Sequence, residues 1–308
     1  MTADARAGRV VASHGRDAVV ADEAGLRVHC RLQGRRLSVV CGDRVLWSPA
    51  ATEGGAGVIR ELLPRRSCLT RIDARGTPEP VAANLSQLVA VLAPVPAPDF
   101  GLCDRYLAAA EWNGLEACIV ANKSDLEAPD ATFDASLREY ARIGYAVVHA
   151  SKRRSGGADA LRQRLSGTTS VLVGQSGVGK SSLTNALVPG VEAAVAEVSR
   201  ASETGRHTTS TASLYVLPSG GELIDSPGVR DFAPPLPPAR EVAGGFREIA
   251  LRAPGCRFRD CLHRTEPGCA VTAARDAGEI TPRRLDSYRS LLALAEQMAA
   301  HAPPRLRR

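Results

Sequence analysis

The segment Gly174-Gln175-Ser176-Gly177-Val178-Gly179-Lys180-Ser181-Ser182 brings three glycines, a lysine and hydroxyls together directly after the apolar run Ser170–Val173. Glycines free the backbone so that successive N–H groups can turn inward around a polyanion, and the helix that follows offers its positive end. In such a loop Lys180 reaches the β- and γ-phosphates of a nucleotide. The Ser181 hydroxyl ligates Mg²⁺, which keeps most of its own waters. A second apolar run, Glu222–Ile224, ends in Asp225-Ser226-Pro227-Gly228. There Asp225 is expected to hold Mg²⁺ through water, and the Gly228 N–H to sense the γ-phosphate. Between the two lies Gly205-Arg206-His207-Thr208-Thr209-Ser210, whose polar, glycine-containing surroundings predict a mobile loop. One of its threonines closes over Mg²⁺, with Thr209 preferred to Thr208.

Phosphates do not distinguish GTP from ATP, so the ring must. Asn122-Lys123-Ser124-Asp125 follows the apolar run Cys118–Ala121. Guanine presents N1–H and N2–H₂ as adjacent donors, and the Asp125 carboxylate can accept both. Asn122 reaches the other edge, while the aliphatic stem of Lys123 covers the ring. A buried carboxylate left unpaired is costly, so such a site discriminates by about 10⁴-fold. Ala150-Ser151-Lys152 supplies a further candidate pair: the Ser151 N–H for the guanine oxygen, with Lys152 packed nearby. The order of these parts is unusual. The base-reading segments precede the phosphate loop, whereas an ordinary GTPase runs the other way, so the domain reads as circularly permuted.

A different chemistry is written between residues 256 and 269. Cys256, Cys261, His263 and Cys269 offer three thiolates and one imidazole among Pro and Gly turns. That set suits a closed, structural tetrahedral zinc site. Because the segment looks poor in core residues, zinc is expected to supply much of its folding energy. The other five cysteines, Cys30, Cys41, Cys68, Cys103 and Cys118, are isolated and read as small buried apolar residues.

The elements that must position these groups fall into three units. Residues 1–76 carry short apolar patches at Arg9–Ala12, Ala18–Val20, Leu37–Val40 and Arg44–Trp47, split by Gly and Asp turns. They suit a small β-barrel, either oligonucleotide-binding or SH3-like. Arg31, Arg35, Arg36, Arg60, Arg65 and Arg66 make it basic. Residues 77–232 alternate buried strands (Leu88–Leu92, Ala117–Val120, Ala146–Val148, Ser170–Val173, Glu222–Ile224) with helices (Asp104–Trp112, Phe133–Ile143, Ala158–Leu165 and Ser181–Leu187). That alternation implies an α/β domain with a mostly parallel sheet, and each motif falls just after a strand, where such sheets bind ligands. Residues 233–308 begin with a stiff proline-rich connector, hold the Cys/His cluster, and end in a helix over Thr281–Ala300 before a basic tail. The chain of 308 residues carries a net charge of +6. That balance fits an anionic partner such as RNA and equally a solvated arginine-rich surface. No run reaches the 18 or so apolar residues of a membrane span, and the first residues lack the apolar centre of a signal peptide, so a cytoplasmic protein without membrane attachment is expected.

In this order, Asn122–Asp125, Gly174–Ser181, Gly205–Thr209, Asp225–Gly228 and Cys256…Cys261-Leu262-His263…Glu266-Pro267-Gly268-Cys269 resemble the small-ribosomal-subunit-dependent GTPase A family (RsgA, also called YjeQ). Asp104-Arg105-Tyr106-Leu107-Ala108 and Phe246-Arg247-Glu248 match it too, so the likeness covers nearly the whole chain. Asn84-Leu85-Ser86-Gln87 departs from the family's usual Asn-Val-Asp-Gln, at a place with no assigned ligand role. The resemblance implies an N-terminal oligonucleotide-binding barrel, a permuted GTPase domain and a C-terminal zinc domain. It also implies GTP hydrolysis stimulated by the small ribosomal subunit during its late maturation, with that subunit and its rRNA as partners of a monomer. Val229 stands where ordinary small GTPases place a water-orienting Gln, so slow intrinsic turnover is expected. His207 is the candidate to position water instead, acting with Lys180 and Thr209. The flanking domains meet the GTPase domain at its new ends, so nucleotide state is expected to alter their orientation and RNA affinity. The alternative function is a GTP-dependent RNA-binding switch or scaffold with incidental turnover. A GTPase-linked RNA-modifying enzyme would need a second catalytic cluster, for which the sequence offers no candidate.

Overall fold

The structure is a computed structural model and describes residues 5–34, 36–50, 52, 55–73, 76–128, 131–188, 190, 212–226 and 234–301. Strands β1 (Arg6–His14), β2 (Asp17–Ala21), β3 (Arg27–Leu32), β4 (Arg44–Ser48) and β5 (Gly57–Leu62) form the N-terminal unit. They pair in the order β1-β2-β3-β5-β4, and β4 returns to β1. This closed five-stranded ring answers to the oligonucleotide-binding barrel of the two alternatives. Alternate residues of its strands, including Val10, Val20, Cys30, Val45, Trp47 and Ile59, fill the interior. Leu37–Val40 is not a strand: the segment joins no ladder, and the Val40 N–H is taken by the Asp43 carboxylate at 2.8 Å. Its hydrophobicity serves the barrel core directly, since Val39 is buried and Leu37 packs against the same cluster. β6 (Cys68–Ile72) and β7 (Pro78–Ala83) form a separate hairpin, and residues 76 and 77 lie in its turn.

The central unit runs β8 (Gln87–Leu92), α1 (Phe100–Trp112), β9 (Glu116–Ala121), α2 (Thr132–Ile143), β10 (Ala146–His149), α3 (Asp159–Leu165), β11 (Thr169–Val173), α4 (Lys180–Leu187), β12 (Ala212–Val216) and β13 (Glu222–Asp225). The sheet order is β10-β9-β8-β11-β13-β12, parallel except for β12. All six residues of β8 are buried, as a strand covered on both faces requires. One face packs on α1 and α2 through residues such as Leu88, Leu107, Ile119 and Tyr140. The other packs on α3 and α4 through Val89, Leu161, Val178 and Leu183. Beyond the central unit the sheet continues into the barrel. β12 pairs with β1 through Ala12–Ser213 and Ser13–Ala212, and Arg9 reaches Glu222 and Thr169.

After the extended residues 234–238 come a 3-10 segment (Ala239–Gly245), α5 (Arg247–Arg252), α6 (Ala270–Asp276) and α7 (Pro282–His301). Val242, Phe246, Ile249, Val271, Leu285, Tyr288 and Leu292 are buried together with Ala108 of α1, and Trp112 packs against them. The C-terminal unit therefore has a core of its own, built mainly outside the 256–269 segment. It borrows one wall from the central unit. Polar anchoring reinforces that wall. Asp104 in α1, wholly buried, accepts from Tyr140 Oη (2.6 Å), Arg283 Nη1 (2.9 Å) and Arg284 Nη1 (2.7 Å). Arg284 also grips Glu248 of α5 through Nε (2.6 Å) and Nη2 (3.0 Å). Burial alone would lower the Arg284 pKa, but Asp104 and Glu248 lift it well above its ordinary value. No helix among the described residues is long and apolar enough to cross a membrane.

Candidate nucleotide site and metal cluster

β11 ends at Val173 and α4 begins at Lys180, so the phosphate loop spans a strand-to-helix turn at the sheet's carboxyl edge. Two of its glycines are sterically required. Gly174 has φ +144° and a Cβ there would lie 2.4 Å from Val91 O. Gly179 has φ +99° and its Cβ would lie 2.4 Å from Asn122 Nδ2. Lys180 Nζ sits within the loop, donating to Gly174 O and, at 2.9 Å, to Gln175 O. Lys180, Ser181 and Asp225 line one small cavity with Leu172, Thr184 and Ile224. The expected Mg²⁺ ligands from two separate motifs are thus brought together. A cation-sized space beside a hydroxyl, a carboxylate and an ammonium suits a metal bridged to phosphate. Ser176 and Ser182 occupy the loop and the first turn of α4, as anticipated.

The base segment lies against the same loop. Asn122 is buried at the end of β9, and its Nδ2 donates to Val178 O at 2.8 Å. Lys123 adopts φ +58° and its Nζ donates to Gly177 O (2.8 Å) and Val95 O (2.7 Å). Asn122 is thus held against the phosphate loop. It stitches the base segment to the phosphate loop, fixing the distance between the two halves. Asp125 Oδ1 accepts from the Ser151 hydroxyl at 2.5 Å, and that bond holds its carboxyl below the usual carboxylate range.

Ser151 differs from its expected role. Its N–H is already bonded to Gly157 O at 2.9 Å, so it has no donor left for a guanine oxygen. Ser151 belongs to the site through its hydroxyl instead. Arg153, which the sequence reading passed over, places Nη1 3.7 Å from Asp125 Oδ2, while Lys152 stays exposed between the two. The run Ser151-Lys152-Arg153 offers adjacent cations, and only the turn closed by Gly157 decides which of them faces Asp125. The Gln175 side chain bonds to the backbone of Ala97 and Asp99, which leaves its own N–H to the loop. His207, Thr208, Thr209 and Gly228 lie outside the described residues, as does Val229.

On the far side of α7 the four candidate zinc ligands converge. One ligand atom from each of Cys256, Cys261, His263 and Cys269 falls within 4.8 Å of all the others. Cys256 Sγ lies 3.5 Å from His263 Nδ1 and 4.0 Å from Cys269 Sγ, and Cys269 Sγ lies 3.6 Å from His263 Nδ1. Bond lengths of about 2.3 Å to sulfur and about 2.0 Å to nitrogen give a tetrahedron edges of roughly 3.5–3.8 Å. The two sulfur–nitrogen distances fit that figure, and the Cys256–Cys269 pair is slightly wider than it. His263 is buried with φ +58° and its ring lies 5.9 Å from that of Tyr288, while Glu266 binds the N–H groups of Leu262 (2.8 Å) and Arg264 (2.6 Å). The loop is thus shaped by its own hydrogen bonds to present the cluster.

Residues 62–234 match the model of a family described as RsgA GTPase. A protein of Azotobacter vinelandii named small ribosomal subunit biogenesis GTPase RsgA is 48% identical over 272 residues, covering 88% of this chain and 79% of that protein. A protein of the same name from Chromohalobacter salexigens is 48% identical over 293 residues, covering 93% and 85%. Among solved structures, YjeQ from Thermotoga maritima aligns with a TM-score of 0.74 at 32% identity over 95% of this chain and 99% of its own. YloQ, titled a circularly permuted GTPase, aligns with a TM-score of 0.73 at 28% identity over 96% of each.

Proposed function

Since the chain belongs to the RsgA GTPase family, we propose that it hydrolyses GTP to GDP and phosphate in the late maturation of the small ribosomal subunit, and that the subunit stimulates it. One observation supports this most. Asn122 and Lys123 bond directly to the phosphate loop, so Asp125 and Lys180 address the two ends of one bound molecule. Asp125 accepts guanine N1–H and N2–H₂, with the Ser151 hydroxyl holding the carboxylate in place. The Lys123 stem covers the ring. The N–H groups of Gly174 to Ser182 and the start of α4 surround the phosphates. Lys180 exchanges its loop carbonyls for β- and γ-oxygens, where it stabilises the charge that develops as water attacks. Ser181, Asp225 and Thr209 would hold Mg²⁺, which neutralises the polyphosphate when bound. His207 orients the water, a role that Val229 has no polar group to fill. Gly228 reports on the γ-phosphate. Cys256, Cys261, His263 and Cys269 would hold Zn²⁺, which fixes the loop that the C-terminal unit presents to rRNA. The barrel supplies the second rRNA surface.

The experiment is turnover by the purified chain with GTP and with ATP, alone and with isolated small subunits, large subunits or free RNA. Strong stimulation of GTP turnover by small subunits alone is the expected result. Equal use of ATP refutes the base site, and turnover indifferent to small subunits refutes the ribosomal reading.

A further inference from the structure

The Gln175 side chain commits both ends of its amide to the segment between β8 and α1. Its Oε1 accepts from Asp99 N at 2.6 Å, and its Nε2 donates to Ala97 O at 2.9 Å. No carboxylate or aliphatic side chain can make both bonds. The same segment is held nearby, for Lys123 Nζ bridges Val95 O and Gly177 O. Asp99 is also the cap of α1, accepting from Leu102 N at 2.8 Å. Five residues along that helix, about 7–8 Å of rise, stands Asp104, clamped by Arg283 and Arg284 of α7. One short rigid strut thus has the phosphate loop fastened to its first residue and the C-terminal unit fastened to its second turn.

Resting on the GTPase reading, we propose that Gln175 is a positioning residue that transmits the state of the phosphate loop through α1 to the C-terminal unit. A shift of the loop on binding nucleotide carries Asp99 with it, and α1 carries Asp104 and the α7 arginines. The coupling has physical content because both joints are multiply bonded, the Asp104 joint buried and the Gln175 joint exposed but made of two bonds to neighbouring backbone groups, and a helix turn does not compress between them.

The test is amide hydrogen exchange across α7 in the full chain, with GDP and with a non-hydrolysable GTP analogue, alongside steady-state kinetics. In the wild type, α7 exchange differs between the two nucleotides. Q175A abolishes that difference and raises KM for GTP roughly 2- to 10-fold, the effect of losing one or two hydrogen bonds to the loop. Q175E keeps the acceptor but sets a carboxylate against Ala97 O, and behaves as Q175A. D104N, cut at the other end of the strut, abolishes the exchange difference with KM unchanged. Wild-type α7 exchange that ignores the nucleotide, or a difference that survives in Q175A or in D104N, overturns the proposal. Failure of the wild type to bind guanine nucleotide at all sinks the functional reading instead. Thermal melts of each variant confirm that the chain compared is folded.

Discussion

Replacing Arg284 with Ala isolates what the buried ion cluster contributes. Arg284 is 1% exposed, and its guanidinium satisfies the buried Asp104 and both oxygens of Glu248. Alanine removes all of these bonds together. Arg283 and Tyr140 remain on Asp104, so that carboxylate keeps part of its shell, but Glu248 loses its fork. Breaking a buried pair by removing one partner costs about 3–5 kcal/mol. At about 2–4 °C per kcal/mol for domains of this size, the melting temperature falls by about 6–20 °C. R284K recovers little, because an ammonium cannot match the planar fork on Glu248 and reach Asp104 at the same time. A triple change to well-packed neutral side chains at 104, 248 and 284 lands much closer to the wild type, since the pair's desolvation is removed together with its attraction. Scanning calorimetry or circular dichroism melts decide the matter. If R284A melts within about 2 °C of the wild type, below 1 kcal/mol, the cluster is not holding the units together and the reasoning fails.

H207A is expected to abolish the small-subunit-stimulated turnover while GTP affinity stays close to wild type; undiminished stimulated turnover would eliminate His207 as the water-orienting group. D125N is expected to lose guanine preference and gain xanthine nucleotides, whose ring oxygen accepts from an amide, as competition binding would report. Because the Ser151 bond depresses the Asp125 pKa, the GTP-over-ATP preference is expected to persist further into acid than an ordinary carboxylate would allow, as competition binding across a falling pH series would report. S151A removes this protection and makes the preference decay at higher pH. Chelation of zinc is expected to loosen residues 256–269 to exchange or protease while α7 and the 3-10 segment persist, because Phe246, Leu285, Tyr288 and Leu292 keep their shared core. Collective unfolding of the whole C-terminal unit on chelation would contradict that.

The groups that carry chemistry were largely legible in order and spacing, because each is local: a loop needs its glycines, and a tetrahedral cluster needs its ligands close in the chain. The strands that bear them were equally visible, since a strand buried on both faces writes a continuous apolar run. Contacts between distant segments left no such trace. Nothing near Asp104 announces Arg283 or Arg284, and nothing near Gln175 announces Ala97. Leu37–Val40 has a strand's composition but an irregular backbone, because the barrel needed its side chains and not its hydrogen bonds. Ser151 shows the limit most sharply. The sequence pairs it with the Asp125 segment, but whether its hydroxyl or its N–H is left to act there depends on Gly157 closing a turn six residues later.

The pairing of β1 with β12 means that the barrel is not a bead on a string. It shields the open margin of the nucleotide-binding sheet. A shortened chain beginning at residue 77 would bare β12 along its unpaired side, leaving N–H and C=O groups free to recruit a stranger's strand. Such a fragment should be sticky and poorly soluble, although every residue of its nucleotide site is present.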